Sequence, residues 1–174
     1  MSFKISDFRS VLGAGSRPNL FKIKISAPAG YDLTAVEYLC RAASLPSSTL
    51  GTIEIPMNAG RRLKMGGDRT FADWTTTVIN DSNHQIREAL ENLQKVYGTT
   101  DYNSETSKTR TGGTATEFST ILVEQLNQAG EVVYSYTLVN CWPQDISTID
   151  LSYDSTDTLE EFTVTWSYDY FTFE

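Results

Sequence analysis

The chain carries one histidine and two cysteines, and beyond Arg110 it has no lysine or arginine at all. Each shortage closes off a kind of chemistry. A Ser-His-Asp or Cys-His arrangement needs an imidazole base beside the nucleophile, and the sequence builds none around His84. His84 also falls in the first turn of a predicted helix, an ordinary solvent-facing place. Cys40 and Cys141 belong to no CxxC or Cys/His cluster, so no zinc site follows. Both sit among apolar neighbours and read as reduced, buried, small hydrophobes. Gly13-Ala14-Gly15 lacks the rest of a phosphate or dinucleotide loop. Asp145, Asp150, Asp154 and Asp157 miss the spacing of a calcium loop. Glu160 and Glu161 are adjacent on a predicted strand and point to opposite faces, so they do not converge for acid/base work. No cofactor and no enzymatic activity are expected, and the function is sought in surfaces. Long apolar runs are also missing: nothing approaches the ~18 residues of a membrane-spanning helix. Residues 1–13 contain Lys4, Asp7 and Arg9 but no apolar core of a signal peptide. The expectation is a protein that folds in the compartment where it is made.

What is present describes a folded chain. Of 174 residues, 40% are hydrophobic and 21% charged, which argues against disorder. With no internal repeat or linker, residues 1–174 are expected to form one domain. A chain of this length buries roughly two-thirds of its unfolded surface and needs no disulfide or metal staple. The net charge of −8 is unevenly placed. Residues 1–87 hold 11 basic and 7 acidic side chains, a net of +4, whereas residues 88–174 hold 3 and 15, a net of −12. From Thr111 to Glu174 there are 11 acids and no cation. Such a balance disfavours tight nucleic-acid binding, which relies on cations at phosphates. The acidic half, rich in Tyr, Trp, Phe and Val, is not an acidic tail. It sets up a field that repels DNA or attracts the basic half of a neighbouring copy.

The periodicity is mostly that of strands. Phe21-Lys22-Ile23-Lys24-Ile25 alternates apolar with basic. Leu33 to Arg41 reads as a second strand. Thr52 to Met57 and Arg61 to Met65 flank Asn58-Ala59-Gly60, which predicts a β-hairpin. Pro56 and the cations Arg61, Arg62 and Lys64 mark it as an edge protected against pairing, or as an arm docking on an acidic neighbour. Phe71 to Ile79 is a β-branched strand. Ser82-x-x-Gln85 has the form of a capping box, and Ile86, Leu90, Leu93 and Tyr97 recur on one helical face before Gly98, predicting one flanking helix over about 82–97. Residues 99–116 read as a long polar loop. Strands return at Phe118–Leu126 and Glu131–Leu138, with Trp142-Pro143 ending the second. Leu159 to Phe173 reads as one long closing strand with Phe162, Val164, Trp166, Tyr168 and Tyr170 on one face. Residues 3–11 read as a short helix or as part of an N-terminal arm over 1–16. About eight strands with one helix predict a mainly β fold, a sandwich or barrel.

Several segments, in order, carry a resemblance. They are Arg17-Pro18-Asn19-Leu20-Phe21 with Ile23; Leu45-Pro46; Gly67-Asp68-Arg69-Thr70-Phe71 with Asp73-Trp74-Thr75, Val78 and Asn80-Asp81; Leu138 to Trp142-Pro143; and Glu161-Phe162-Thr163-Val164 to Asp169-Tyr170. Together, over about residues 17–173, they resemble the tail tube protein of large contractile-tailed bacteriophages. The resemblance implies a β-sandwich or split barrel whose copies form hexameric rings. The rings stack into a hollow tube inside a contractile sheath, and the genome passes through it into the host. It implies as partners further copies of the chain, the sheath protein, and the baseplate and terminator proteins. DNA crosses the lumen without specific binding, and the location is the virion tail, assembled in the host cytoplasm. It also implies that the hairpin over about Thr49–Met65 makes contacts between subunits, with Ile53, Ile55, Met57, Arg61, Arg62 and Lys64 as contact residues. Asn19, Phe21, Asp68, Arg69, Trp74, Trp142 and Pro143 are implied to be structural, Asp68, Arg69 and Trp74 fixing the turn and core where the strand begins. The alternatives are a baseplate tube-initiator, a tube of a secretion or injection system, and an unrelated β-sandwich binding module. The last would gather Tyr97, Tyr102 or Tyr153 into a pocket.

Overall fold

Burial alternates residue by residue over Trp74–Ile79, Glu161–Ser167 and the first part of Ser119–Leu126, as strands require. The computed structural model describes residues 4–13, 15–28, 31–98 and 118–174, with nothing described of the Ala59 side chain. The predicted loop over 99–116 lies outside these residues. A short helix α1 (Ile5–Leu12) is followed by β1 (Phe21–Ser26), a one-turn helix α2 (Val36–Leu39), β2 (Cys40–Ala43) and β3 (Ser48–Pro56). A 3-10 turn (Asn58–Gly60) leads to β4 (Arg62–Phe71), β5 (Trp74–Ile79) and helix α3 (Gln85–Tyr97). The chain closes with β6 (Ser119–Leu126), β7 (Val132–Ile146), β8 (Glu161–Ser167) and β9 (Tyr170–Phe173).

All pairings are antiparallel. The main sheet runs β1-β6-β7-β8-β5-β2, with β9 added to β7, and β3 pairs with β4 apart from it. Strand β7 is shared between two wings. Its first part pairs with β6 and β9, and its residues from Trp142 onward pair with β8. The change of wing occurs at Asn140, whose φ is +57°. Asn tolerates this left-handed conformation better than most residues. Its Nδ2 donates to Asp169 Oδ2 at 2.6 Å, and the Asp169 amide donates to the Val139 carbonyl at 3.2 Å. Opposite this point the partner strand breaks into β8 and β9. Two strands therefore bend together, and the sheet folds into two wings within the mainly β architecture that the strand pattern predicts.

The core fills the bend. Ile23, Ile121, Val123 and Leu138 come from one wing, and Trp74, Val78, Phe162, Val164 and Trp166 from the other. In the second wing the period-two rule is strict: Trp74 faces Trp166, Thr76 faces Val164 and Val78 faces Phe162, all on the buried side. Trp166 Nε1 donates to Thr76 Oγ1 at 3.2 Å, which satisfies a buried indole N–H. Helix α3 adds Ile86, Leu90, Leu93 and Tyr97, its fully buried stripe.

Several boundaries differ from the sequence reading. Helix α3 starts at Gln85, not near 82, because His84 takes φ +55° and ends a tight turn. The cap is Asp81, whose carboxylate accepts from the Gln85 and Ile86 amides at 3.2 and 3.4 Å, in place of the Ser82 capping box. The expected strand over Leu33–Arg41 is mostly a turn and α2, with Leu33 and Val36 buried at helical spacing. Strand β7 runs on through Trp142-Pro143 to Ile146. Its register shifts between Pro143 and Asp145, the kind of irregularity that accommodates a residue with no N–H. The predicted strand over Phe71–Ile79 is interrupted at Ala72-Asp73, and the closing strand at Tyr168-Asp169, so Tyr170 is exposed instead of sharing the Trp166 face.

Core and periphery should separate in stability. Leu138→Ala, at a side chain with no exposure, is expected to lower unfolding free energy by about 2–5 kcal/mol in urea titration. Leu63→Ala on the exposed β3–β4 ribbon should change it by less than about 0.5 kcal/mol in the free subunit.

Candidate assembly surface

The β3–β4 ribbon is built from sequence that has no core of its own. Every residue of β3 is exposed, and in β4 only Gly67 and Phe71 are partly covered. Nine residues of strand make an arm about 30 Å long. The arm continues the body: Ala43 pairs with Thr76 in β2–β5, and Ser48 with Phe71 where β3–β4 begins. The Ala72 amide donates to the Ser47 carbonyl between them. At the tip the Met57 amide donates to the Arg61 carbonyl at 2.8 Å, closing the turn.

Register sorts the arm into two faces. Ile53 faces Met65 and Ile55 faces Leu63, and Met57 continues the row. These five side chains are 43–56% exposed and form one apolar face. The opposite face carries Glu54 against Lys64 and Pro56 against Arg62. Glu54 is shared by two cations, accepting from Arg62 Nη1 at 2.8 Å and lying 3.4 Å from Lys64 Nζ. Over residues 48–71 there are four cations and two acids, a net of +2. Midway, the register shifts by one residue at Gly51, opposite Gly67 and Asp68. A Cβ on Gly67 would lie 3.2 Å from the Gly51 backbone, so the strands approach too closely there for a larger residue. An isolated two-stranded ribbon is marginal in water, and its open edges invite pairing.

The arm leaves the body at one end of the β5–β8 pair. Trp74 pairs with Trp166 at that end, and Ile79 with Glu161 at the other. The loop 147–160, between β7 and β8, therefore lies at the end opposite the arm. It carries Asp150, Asp154, Asp157 and Glu160 and no cation. Its Leu151, Tyr153 and Leu159 are strongly exposed, and a cleft of about 360 Å³ opens among Ile149, Asp150, Leu159 and Glu161. Nearby, Asn80 Nδ2 donates to Glu160 Oε2 at 2.9 Å, and Arg41 pairs with Glu161. At the N-terminus, α1 has no buried residue and exposes Ile5, Val11 and Leu12.

The residues singled out in the sequence fall into distinct places. Ile53, Ile55, Met57, Arg61, Arg62 and Lys64 are all on the arm, the first three on its apolar face. Asp68 and Arg69 are exposed within β4 and not at a turn. Trp74 is buried at the arm's root, where its Nε1 donates to the Ser44 carbonyl. Asn19 is exposed in a turn, and Phe21 is partly covered at the start of β1. Pro143 is buried, and Trp142 packs 6.1 Å from Phe118, which stacks on Tyr97. Tyr97 is buried and Tyr153 lies on the 147–160 loop, so these two do not share a pocket; Tyr102 lies outside the described residues. Among the described residues, no group of three His, Cys, Asp or Glu side chains could hold a metal. Sequence reasoning missed the polar arrangement of arm and acidic loop, because only strand register reveals it.

A family profile described as phage tail tube protein matches residues 16–174. The chain belongs to the phage tail tube family. Among relatives, the tail tube protein gp19 of Enterobacteria phage T4 is 31% identical over 160 residues, covering 91% of each chain. The tail tube protein of Serratia phage KSP90 is 27% identical, covering 91% of this chain and 90% of the relative. In fold, the chain is similar to a component of the sheath-tube complex of an extracellular contractile injection system. There the TM-score is 0.62 at 15% identity, covering 99% of both chains. A component of the sheath/tube terminator of such a system gives a TM-score of 0.64 at 15% identity, covering 89% of this chain and 93% of that one. The chain is thus a structural tail tube subunit with the fold of contractile-system tubes.

The two thiols provide a check on the body of this subunit. Burial pushes Cys40 up to about 11 and Cys141 up to about 12. Both should stay protonated at pH 8 and react negligibly with a disulfide reagent in the folded protein. After denaturation both should react fully, as read by absorbance of the released chromophore.

Proposed function

We propose that copies of this chain assemble head to tail into hexameric rings that stack into a hollow tail tube for genome passage. The arm carries this reading: a strand ribbon about 30 Å long, with one apolar face left uncovered among the described residues, is an interface awaiting a second copy. The contact residues are Ile53, Ile55, Met57, Arg61, Arg62 and Lys64. Head-to-tail contacts need two different patches on each copy, and the basic and acidic halves supply them. The chain is one working unit over 1–174, with residues 1–16 as an arm, and its role is passive, without bond chemistry or cofactor. An excess of negative charge keeps DNA sliding and not bound. Partners are the sheath, baseplate and terminator proteins. Support comes from chains of similar fold in contractile injection systems, which occur in sheath-tube, terminator and baseplate assemblies. The assembled tube resides in the virion tail and forms in the host cytoplasm.

Negative-stain electron microscopy of the concentrated protein, alone and with preformed tube fragments, tests the reading. Rings or tubes of constant width are expected; compact monomers that never elongate a fragment would reject it. Hydrogen exchange supplies a second test. Amides of Ser48–Phe71 should exchange fast in the free subunit and at least about tenfold slower in the tube, whereas equal protection in both states would remove the arm from the interface.

A further inference from the structure

Asn80 and Asp81 lead from β5 into α3, and their side chains have separate tasks. Asp81 caps the helix. Asn80 sits where the end of β5, the turn before α3 and the start of β8 meet. Its backbone amide donates to the Glu160 carbonyl at 2.8 Å, and its Nδ2 donates to Glu160 Oε2 at 2.9 Å. The same Nδ2 lies 2.8 Å from His84 Nδ1, while Asn80 Oδ1 is buried without a hydrogen-bond partner among the described residues. A carboxylate only accepts, so Glu160 fixes which way the carboxamide faces. The amino group turned to Glu160 is also turned to His84. Nδ1 is therefore the acceptor, and the ring proton is on Nε2.

We infer that Asn80, His84 and Glu160 form a pH-sensitive clasp that holds the 147–160 loop while His84 is neutral and releases it when the imidazole takes a second proton from solvent. This goes beyond the tube reading and does not depend on it. Three observations carry it. First, the geometry has no place for the second proton, since an Nδ1–H would point at an N–H only 2.8 Å away. Second, the loop depends on its two ends, because every residue from Asp150 to Leu159 is exposed. One end is held by the Ser147 amide donating to the Thr163 carbonyl at 2.9 Å and by Arg87 Nη1 donating to the Ser147 carbonyl at 3.2 Å, and neither bond involves an imidazole. The other end is Glu160, held by Asn80. Third, an imidazolium at this place is surrounded by carboxylates. Asp81 precedes it, Glu88 follows in the first turn of α3, and Glu160 faces it across Asn80. Of the cations on the same elements, Arg87 is engaged by Glu91, the Ser147 carbonyl and the Phe162 ring, and Arg41 on β2 by Glu161. The new Nδ1–H pairs with the Glu160 carboxylate and displaces the Asn80 carboxamide, which frees the last residues of the loop. Among unperturbed side chains only imidazole changes charge between about pH 5 and 8, and His84 is the single histidine.

Nuclear magnetic resonance of the isotope-labelled, unassembled protein tests the clasp. At the alkaline end of that range the His84 ring should carry its proton on Nε2; a proton on Nδ1 would overturn the proposal. As the pH is lowered, the Asn80 side-chain amide and the loop amides should shift with the same midpoint as the His84 ring. Protection of the Asn80 backbone amide, corrected for intrinsic exchange, should fall at least about fivefold. His84→Asn keeps a residue that tolerates positive φ and removes the titration, so in it these signals should stay at their alkaline positions. A loop that stays fixed while His84 titrates, or that shifts equally in His84→Asn, would reject the clasp. Where His84→Asn does not fold, Glu160→Gln decides. It keeps an accepting oxygen for Asn80 but offers no carboxylate to the imidazolium, so the loss of protection should shrink at least about threefold. An undiminished loss would equally reject the clasp.

Discussion

The joint at Asn140 and Asp169 is the constraint on which the rest of the fold depends. Strand β7 spans 15 residues, more than either wing uses, and it must turn from one to the other without losing its ladder. A left-handed residue in one strand and a break in the strand beside it provide the turn, and the Asn140–Asp169 hydrogen bond links them. Every core residue on either wing faces inward because these two strands bend together. A residue that resists positive φ at position 140 would meet both a local strain and the loss of that bond.

The arm follows the opposite logic. The body gains stability from buried Trp74, Phe162, Trp166 and the α3 stripe, whereas the arm gains almost none from its own contacts. Its side chains were not selected for a private core, since Ile53, Ile55, Met57, Leu63 and Met65 all remain half in water. On the charged face Glu54 ties Arg62 and Lys64 without giving the ribbon an apolar anchor. The body is thus specified by its own core, whereas the arm has none.

Much of this was legible in the sequence. Alternation marked β1, the hairpin, β6 and the buried face of β8 because a half-buried strand writes its geometry as a period of two. The stripe Ile86, Leu90, Leu93 and Tyr97 marked α3. Boundaries were less legible where tertiary partners decided them. Asp81 displaced Ser82 as the cap because its carboxylate reaches the amides of Gln85 and Ile86. Pro143 reads as a stop, but a register shift lets β7 pass through it. The segment 33–41 reads as a single strand because helical and extended segments of this length share apolar content, and 71–79 because a two-residue break at Ala72-Asp73 leaves its β-branched run in place. The hairpin was visible as an edge with too many cations. Its relation to the acidic loop was not, because opposite ends of a strand pair are close in sequence to different neighbours and only the register sets their direction.

The continuity of the arm with β2 and β5 has a mechanical consequence. A pull on the arm enters β5 along its length, and β5 is held on one side by β2 and on the other by six register pairs to β8. Force applied in that direction loads the backbone hydrogen bonds together, in shear. Force across the strand would open them one at a time, as a zipper opens. A lattice joined through such arms transmits axial tension into a strand paired on both sides, so each subunit meets it with many backbone bonds at once.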